Sequence, residues 1–213
     1  MADHFPDDME KQKECREKLK DASRFLLDLV NHVLDMNKLE SGAVVLSHVP
    51  FDMRDVLTDT EDIIAVQAKE AAISFTVEEE GMFHHSLVGS PLHLRQILQN
   101  IAGNAVKYTS SGGDVVLSVR EETCKEGKAY YTILCKDNGR GMSPSFLKRA
   151  FEPFAQEDVD ARSKYTGTGL GLPIVKELVK LMGGTIYIES HKHVGTTVTI
   201  HLPFDIQDKE VEA

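Results

Sequence analysis

A glycine-rich run in the last third of the chain has the residue types that suit phosphate binding. It reads Gly167-Thr168-Gly169-Leu170-Gly171-Leu172 and continues into an apolar stretch of helical spacing that ends near Met182. Glycines let backbone amides approach an anion, and the first turn of a helix adds unpaired N–H groups and the positive end of its dipole. Because glycine clusters also serve as turns and packing points, the run alone leaves phosphate binding and a structural role equally open.

Two asparagines lie four residues apart in a segment, from Leu92 to Thr109, whose apolar residues recur at helical spacing. Asn100 and Asn104 therefore project from one helix face, with Lys107 close to the same stripe. Amide oxygens are ligands that Mg²⁺ accepts, and Mg²⁺ is usually shared with substrate phosphates. Taken by itself, the pair favours capping or core hydrogen bonding over a metal site.

A third motif places a carboxylate at the end of a predicted strand. It reads Asp137-Asn138-Gly139-Arg140-Gly141-Met142, so that two glycines follow Asp137 closely. A buried carboxylate there could accept a hydrogen bond from the exocyclic amine of adenine, in an apolar slot with few polar groups. An ordinary Asp-Asn-Gly turn is the competing interpretation.

Two further groups lie between this motif and the glycine run. Phe151-Glu152-Pro153-Phe154 precedes a charged segment without periodicity, which we expect to be a mobile loop through Thr166 with the two phenylalanines at its base. Arg162 and Lys164 come just before the glycines, where they could meet phosphate oxygens, although isolated basic loop residues are usually solvated.

The first forty residues predict one long helix. No glycine or proline occurs from Asp8 to Glu40, and apolar or small residues recur three and four apart. They form a heptad seam of Leu19, Ala22, Leu26, Leu29, Val33 and Met36, which Phe25, Val30 and Leu39 widen. A seam of this width predicts packing against more than one neighbouring helix. We expect residues 1–42 to form this helical unit, residues 43–205 a second domain, and residues 206–213 a flexible tail.

The second domain mixes predicted helices and strands. A helix is expected from a cap at Asp52 to Ala71, and others after Pro91, after Ser143-Pro144 and after the glycine run. The apolar side of the helix that follows Asp52 would be formed by Val56, Ile63, Ile64 and Val66. Strands are expected at 44–46, 73–77, 115–119, 130–134, 185–188 and 196–200, where β-branched and aromatic residues cluster.

Bulk composition excludes several classes of partner. A formal charge of −10 argues against a nucleic-acid surface or an anionic membrane. Cys15, Cys124 and Cys135 lack metal-ligand spacing, which indicates reduced thiols in a cytosolic compartment. No segment predicts a membrane span or a secretory signal, so we expect a cytoplasmic protein or the cytoplasmic part of a membrane-tethered sensor.

In their order along the chain, the asparagine pair, the Asp137 motif, the Phe151 segment and the glycine run resemble the catalytic ATP-binding domain of sensor histidine kinases. That domain belongs to a superfamily shared with DNA gyrase, the mismatch-repair ATPase and the heat-shock chaperone ATPase. The resemblance covers roughly residues 50–204. In addition, residues 29–42 resemble the second helix of the dimerisation domain of these kinases and its hinge, which sets kinases apart from the other members.

The resemblance implies an α+β fold of the Bergerat type. This is a two-layer α/β sandwich, in which a mixed, mostly antiparallel sheet carries helices on one face, here preceded by a long N-terminal helix. It also implies ATP and Mg²⁺ as ligands, with Asn104 and Asn100 at the metal, Asp137 at adenine and the loop 143–166 as the ATP lid. The implied nucleotide contacts are Asn100, Asn104, Lys107, Tyr108, Asp137, Gly139, Gly141, Met142, Phe154, Arg162, Lys164, Gly167, Thr168, Gly169, Leu170, Gly171, Leu172 and Thr197.

The resemblance further implies transfer of the γ-phosphoryl of ATP to a histidine, and from there to an aspartate of a response-regulator receiver domain. The family's acceptor segment, Ser-His-Glu/Asp-x-x-Thr-Pro, does not occur in this sequence, and neither His4 nor His32 has the acidic neighbour used as base. We therefore expect these 213 residues to bind Mg-ATP without phosphorylating themselves. Because the seam of Leu19, Leu26, Leu29 and Val33 lacks its partner helix, we also expect a homodimer through the N-terminal helix.

Some departures and alternatives stay open. Ser90 stands where the family often has an aspartate, and Thr166 stands where it often has a glycine before the glycine run. Arg162 is displaced by one position from the family's usual basic pair. These departures bear on the geometry of the lid. A nucleotide-sensing module without phosphotransfer is one alternative. A gyrase-like or chaperone-like ATPase is another, although those relatives carry a glutamate base where this chain has Asn100.

Overall fold

The computed structural model describes residues 9–81, 84–157 and 167–207, without the side chains of Asp21 and Arg24. A single helix of 32 residues, α1 (Met9–Glu40), forms the N-terminal unit, as its sequence predicts. Gly42 follows with a φ of +69°, the left-handed conformation that ends helices and that glycine adopts without strain. In the described residues no helix is both long and apolar enough to cross a membrane.

The remaining described residues include seven strands, which are β1 (Val49–Asp52), β2 (Ser74–Glu80), β3 (Ser86–Gly89), β4 (Asp114–Lys125), β5 (Lys128–Asp137), β6 (Thr185–His191) and β7 (Gly195–Ile206). They form one mixed sheet in the order β1-β3-β7-β5-β4-β2, with β6 also paired to β7. All the pairings are antiparallel except that of β2 with β4.

Three helices pack on one face of this sheet. They are α2 (Met53–Glu70), α3 (Pro91–Tyr108) and α5 (Gly171–Leu181), while α4 (Pro144–Leu147) is a single turn. Alternate residues of the central strands, such as Val115, Leu117 and Ile133, are fully buried under these helices, whereas their neighbours are partly or fully exposed. This arrangement confirms the predicted α+β sandwich with a mostly antiparallel sheet and a long N-terminal helix.

The first predicted strand is wrong in position. Residues 43–48 have no regular structure, and the strand forms at Val49–Asp52 instead, where it pairs with β3. Val45, in the middle of the expected strand, is 84% exposed. Pro50 is tolerated within β1 because β1 is an edge strand. An edge strand has a neighbouring strand on one side only, so a missing N–H on its other side costs no hydrogen bond.

The apolar side of α2 and the start of the tail also differ from expectation. Val56 and Ile64 are buried, but Ile63 and Val66 are exposed, since the helix turns its Met53, Leu57, Thr60 and Ala68 side inward. Ile206, expected in the tail, is the last residue of β7 and pairs with Leu87 of β3. Residues 208–213 of the predicted tail lie outside the described residues.

The heptad seam of α1 divides into two parts. Leu29 and Val33, expected to be free for a partner helix, pack partly on the core of the second domain together with Met36 and Leu39. Leu19 and Leu26 remain exposed. The expectation that the seam is free for a partner helix is therefore wrong for its C-terminal half, because α5 and the core of the second domain cover that half.

Candidate functional site

A cleft opens where α3, the end of β5, α4 and the start of α5 meet, and α1 closes one side of it. The structure brings most of the predicted site residues together around this cleft. Those that line it are Asn100, Asn104, Lys107, Tyr108, Asp137, Gly141, Met142, Gly167, Thr168, Gly169, Gly171 and Leu172.

Asp137 ends β5 and turns its carboxylate into the cleft. Its Oδ1 accepts hydrogen bonds from the backbone N–H groups of Gly139 and Thr196, at 2.9 and 3.2 Å. Burial raises the pKa of Asp137, and these two hydrogen bonds oppose the rise. Cys135 and Val198, both buried, line the cleft beside it, so the carboxylate stands over an apolar floor. This is the combination that a purine base with an exocyclic amine requires.

The glycines after Asp137 are required by close approach of the backbone. A Cβ on Gly139 would lie 2.5 Å from the carbonyl oxygen of Tyr108, and a Cβ on Gly141 would collide with the carbonyl group of His191. Gly141 also has a φ of +62°. The turn from β5 is therefore held against α3 and the β6–β7 hairpin, which fixes the direction of the Asp137 side chain.

The two asparagines of α3 lie directly beside the first residue of α5. A Cβ on Gly171 would be 3.0 Å from Asn100 Oδ1 and 3.5 Å from Asn104 Nδ2. The Asn100 amide donates to the Gln96 carbonyl oxygen at 2.9 Å, which leaves its own oxygen on the cleft side. The Asn100 amide oxygen lies next to a helix N-terminus and the Asn104 amide carries a second oxygen, so these residues would suit Mg²⁺ bound together with a nucleotide.

Two cations flank a tyrosine ring at the same end of the cleft. Lys107 Nζ lies 5.2 Å and Arg140 Cζ 4.8 Å from the centroid of the Tyr108 ring. Burial, and secondly the charge of Arg140, lower the pKa of Lys107. A Cβ on Gly167 would lie 2.5 Å from Lys107 Nζ, so the lysine borders the glycine run. Like charges held this close favour an anionic ligand.

Residues at the start of the predicted lid hold the glycine run. The N–H of Phe154 donates to the carbonyl oxygen of Gly169 at 3.0 Å, and the Gln156 amide donates to that of Gly167 at 2.5 Å. Gly169 has a φ of +70°, and a Cβ there would lie 2.8 Å from the Phe154 backbone. The run thus depends on glycine for its path across the cleft.

Several predicted site residues do not line the cleft. Thr197 projects from the other face of β7, because alternation along the strand directs Thr196 and Val198 to the cleft instead. Leu170 is fully buried in the core, Gly139 acts through the turn, and the Phe154 side chain is 60% exposed. Arg162, Lys164 and most of the second half of the predicted lid lie outside the described residues.

Sequence reasoning missed two contributions. Arg140 is part of the Asp137 motif, yet its place beside Tyr108 depends on the turn that follows β5. Phe25, Asp28 and His32 of α1 line the cleft, and His32 Nδ1 is 2.9 Å from Thr168 Oγ1. The helical periodicity of α1 gives the faces of that helix but not the element each face meets, so no signal in the sequence could have found this contact.

The mixed sheet, its one-sided helices and the cleft at the end of its inner strand β5 are the architecture of an ATPase-type domain. The chain belongs to the histidine kinase-, DNA gyrase B-, and HSP90-like ATPase family, whose pattern matches residues 89–206. Its relatives include proteins described as sensor histidine kinases, so the domain is of the histidine kinase ATPase type.

Among those relatives, the chain is 33% identical over 181 residues to the signal transduction histidine-protein kinase BarA of Escherichia coli strain K12, covering 85% of this chain. It is 37% identical over 189 residues to the sensor protein GacS of Pseudomonas syringae pv. syringae, covering 87% of this chain. The chain spans 20% of the length of each. Full-length ShkA, solved in complex with AMPPNP, matches 92% of this chain and 39% of its own with a TM-score of 0.74 and 31% identity.

Proposed function

We propose that this domain binds Mg-ATP and transfers the γ-phosphoryl group to a histidine on a dimerisation helix outside these 213 residues. The phosphoryl group then passes to an aspartate on a response-regulator receiver domain, which makes that domain a partner. The chain works as a homodimer through α1 in the cytoplasm, either free or as part of a membrane-tethered sensor. The match to sensor kinases over most of this chain supports that proposal.

The observation that carries the proposal is the meeting of four chemically different groups in one cleft. A half-buried carboxylate, two amide side chains, two cations and a glycine run before a helix converge from elements far apart in sequence. The cleft is apolar at the Asp137 end and cationic at the Gly167 end, which matches a base at one end and a polyphosphate at the other. The AMPPNP complex of the relative ShkA supports the same ligand class.

Each group has a separate task in the proposed site. Asp137 accepts from the adenine amine, while Lys107 and the amides of Thr168 and Gly169 bind phosphate oxygens. Asn104 and Asn100 hold Mg²⁺, which when bound neutralises phosphate charge. Transfer of a phosphoryl group needs little covalent chemistry from the protein, so these residues act by positioning and by charge neutralisation.

Isothermal titration with AMPPNP, with and without MgCl₂, tests the binding half of the proposal. We expect binding that Mg²⁺ strengthens, and a folded chain without affinity for AMPPNP would refute it. Incubation with γ-labelled ATP tests the second half. The chain alone should acquire no acid-labile label, and the same chain joined to a complete dimerisation hairpin should acquire it. Label on the chain alone, or none on the joined protein, would contradict the assignment.

A further inference from the structure

The N-terminal helix contacts the glycine run through one polar side chain. His32 Nδ1 lies 2.9 Å from Thr168 Oγ1, across a separation of 136 residues in sequence. Asp28, one turn earlier on α1, and Phe25 line the same cleft. The second half of α1 is therefore part of the cleft wall, although the domain that the family pattern matches begins only at residue 89.

Contacts on both sides of His32 hold α1 in this position. Asp35 Oδ2, one turn later, accepts from the Gln96 amide of α3 at 2.9 Å. Leu29, Val33 and Met36 pack against the core of the second domain. Because these contacts flank His32, packing places its ring near Thr168 independently of the hydrogen bond between them.

Thr168 connects His32 to the start of α5. Its Oγ1 also accepts from the backbone N–H of Leu170 at 3.3 Å, and Leu170 is the fully buried N-cap residue of α5. On the side of the predicted lid, the Phe154 N–H and the Gln156 amide donate to the carbonyl oxygens of Gly169 and Gly167. His32 contacts the run from the α1 side through the Thr168 hydroxyl and not through a backbone N–H group.

We propose that His32 is a positioning residue of the nucleotide site, which fixes Thr168 and with it the glycine run in the conformation that receives phosphates. This inference rests on the nucleotide site proposed above and adds α1 to it. A run that alternates with glycine loses much conformational entropy when it becomes ordered on a ligand. Fixing its one hydroxyl side chain beforehand reduces that loss, so ligand affinity depends on α1 being in place.

Titration of Mg-AMPPNP into the full chain and two His32 variants tests the proposal. His32→Leu keeps the bulk of the side chain and removes the hydrogen bond, so we expect a Kd about 3- to 10-fold weaker, the range for one hydrogen bond. His32→Asn places an amide atom where Nδ1 lies and should restore most of the affinity. Asn31→Ala, at the exposed neighbouring position on α1, should leave the Kd unchanged.

The Thr168→Val background separates positioning from a general effect on folding. If His32 acts through Thr168, His32→Leu will have no further effect on the Kd once the hydroxyl is gone. Equal Kd values for the unaltered chain and His32→Leu, or additive effects of the two substitutions, would overturn the inference while leaving the nucleotide site intact. Absence of binding by the unaltered, folded chain would overturn the nucleotide site and this inference together.

Discussion

Replacing Asp137 with asparagine should separate nucleotide binding from stability. In the folded protein Oδ1 is already engaged by the N–H groups of Gly139 and Thr196, so Oδ2 is the atom left for an adenine amine. An asparagine can keep its oxygen on the two backbone donors. Its NH₂ group then takes the place of Oδ2 and presents a donor to a donor.

The two effects differ in size and sign. Loss of a hydrogen bond to a charged acceptor costs about 1.5–3 kcal/mol, which weakens nucleotide affinity about 10- to 150-fold. Stability should change by no more than about 1 kcal/mol, because the backbone donors keep a partner. Since burial raises the pKa of Asp137, its contribution to stability is fully present below its ordinary pKa and is lost as pH rises through the raised pKa. The Asp137→Asn variant escapes this loss and should gain stability relative to the unaltered chain over that pH interval.

Titration with AMPPNP measures the affinity, and urea unfolding measures the stability. Both are repeated between pH 4 and pH 8 in steps of about one pH unit. Asp62→Asn is a matched control, since Asp62 is exposed on α2 and does not line the cleft. It should leave affinity and stability unchanged. Nucleotide affinity that survives in Asp137→Asn would refute the role at adenine. A loss of several kcal/mol of stability at neutral pH would show instead that Asp137 is a structural residue.

The remaining predictions concern the glycine run, the lysine and α1. Gly169→Ala should lower stability by about 1–3 kcal/mol in urea unfolding, because φ is positive there and the Phe154 backbone leaves no room for a Cβ. Gly171→Ala should keep the fold but lose the Mg²⁺-dependent part of AMPPNP affinity, because its Cβ crowds the Asn100 amide; equal unfolding losses in both variants would contradict this. AMPPNP affinity, titrated against pH, should fall as pH rises through the lowered pKa of Lys107, before the ordinary range of lysine, and a flat profile would count against its phosphate role. Sedimentation should detect dimers that Leu26→Glu abolishes, since Leu26 lies on the exposed stripe of α1; a monomeric unaltered chain at high concentration would refute the dimer.

Elements with strong periodicity and local turn chemistry were predictable from sequence. α3 begins at Pro91 and the β4–β5 hairpin turns at 126–127 because proline geometry, alternation and a glycine turn act within a few residues. The strand after α1 was not predictable in the same way. Residues 44–46 have the higher β propensity, but strand formation requires a partner, and β3 reaches only Val49–Asp52.

The cleft shows the same division between local and long-range information. The motif residues Asn100, Asn104 and Asp137 meet as expected from their order in a known family. Thr196 and Arg140 needed knowledge of register and of the turn after β5. The pairing that places Thr196 beside Asp137 follows from β7 lying next to β5, which no short-range pattern encodes.

α1 carries the most consequential ambiguity, because a heptad seam shows only that a helix face is buried and not what covers it. The structure assigns the C-terminal half of the seam to the core of the same chain, and leaves a stripe of Leu19, Leu26, Leu27, Val30 and Leu34 exposed. A helix that packs on this stripe therefore contacts the same rigid element whose other face presents His32 to Thr168. Any rotation of α1 that improves packing on the stripe must move His32 relative to the glycine run. The proposed dimer contact and the proposed phosphate end of the cleft are thus mechanically connected through one helix, without a need for an intervening loop.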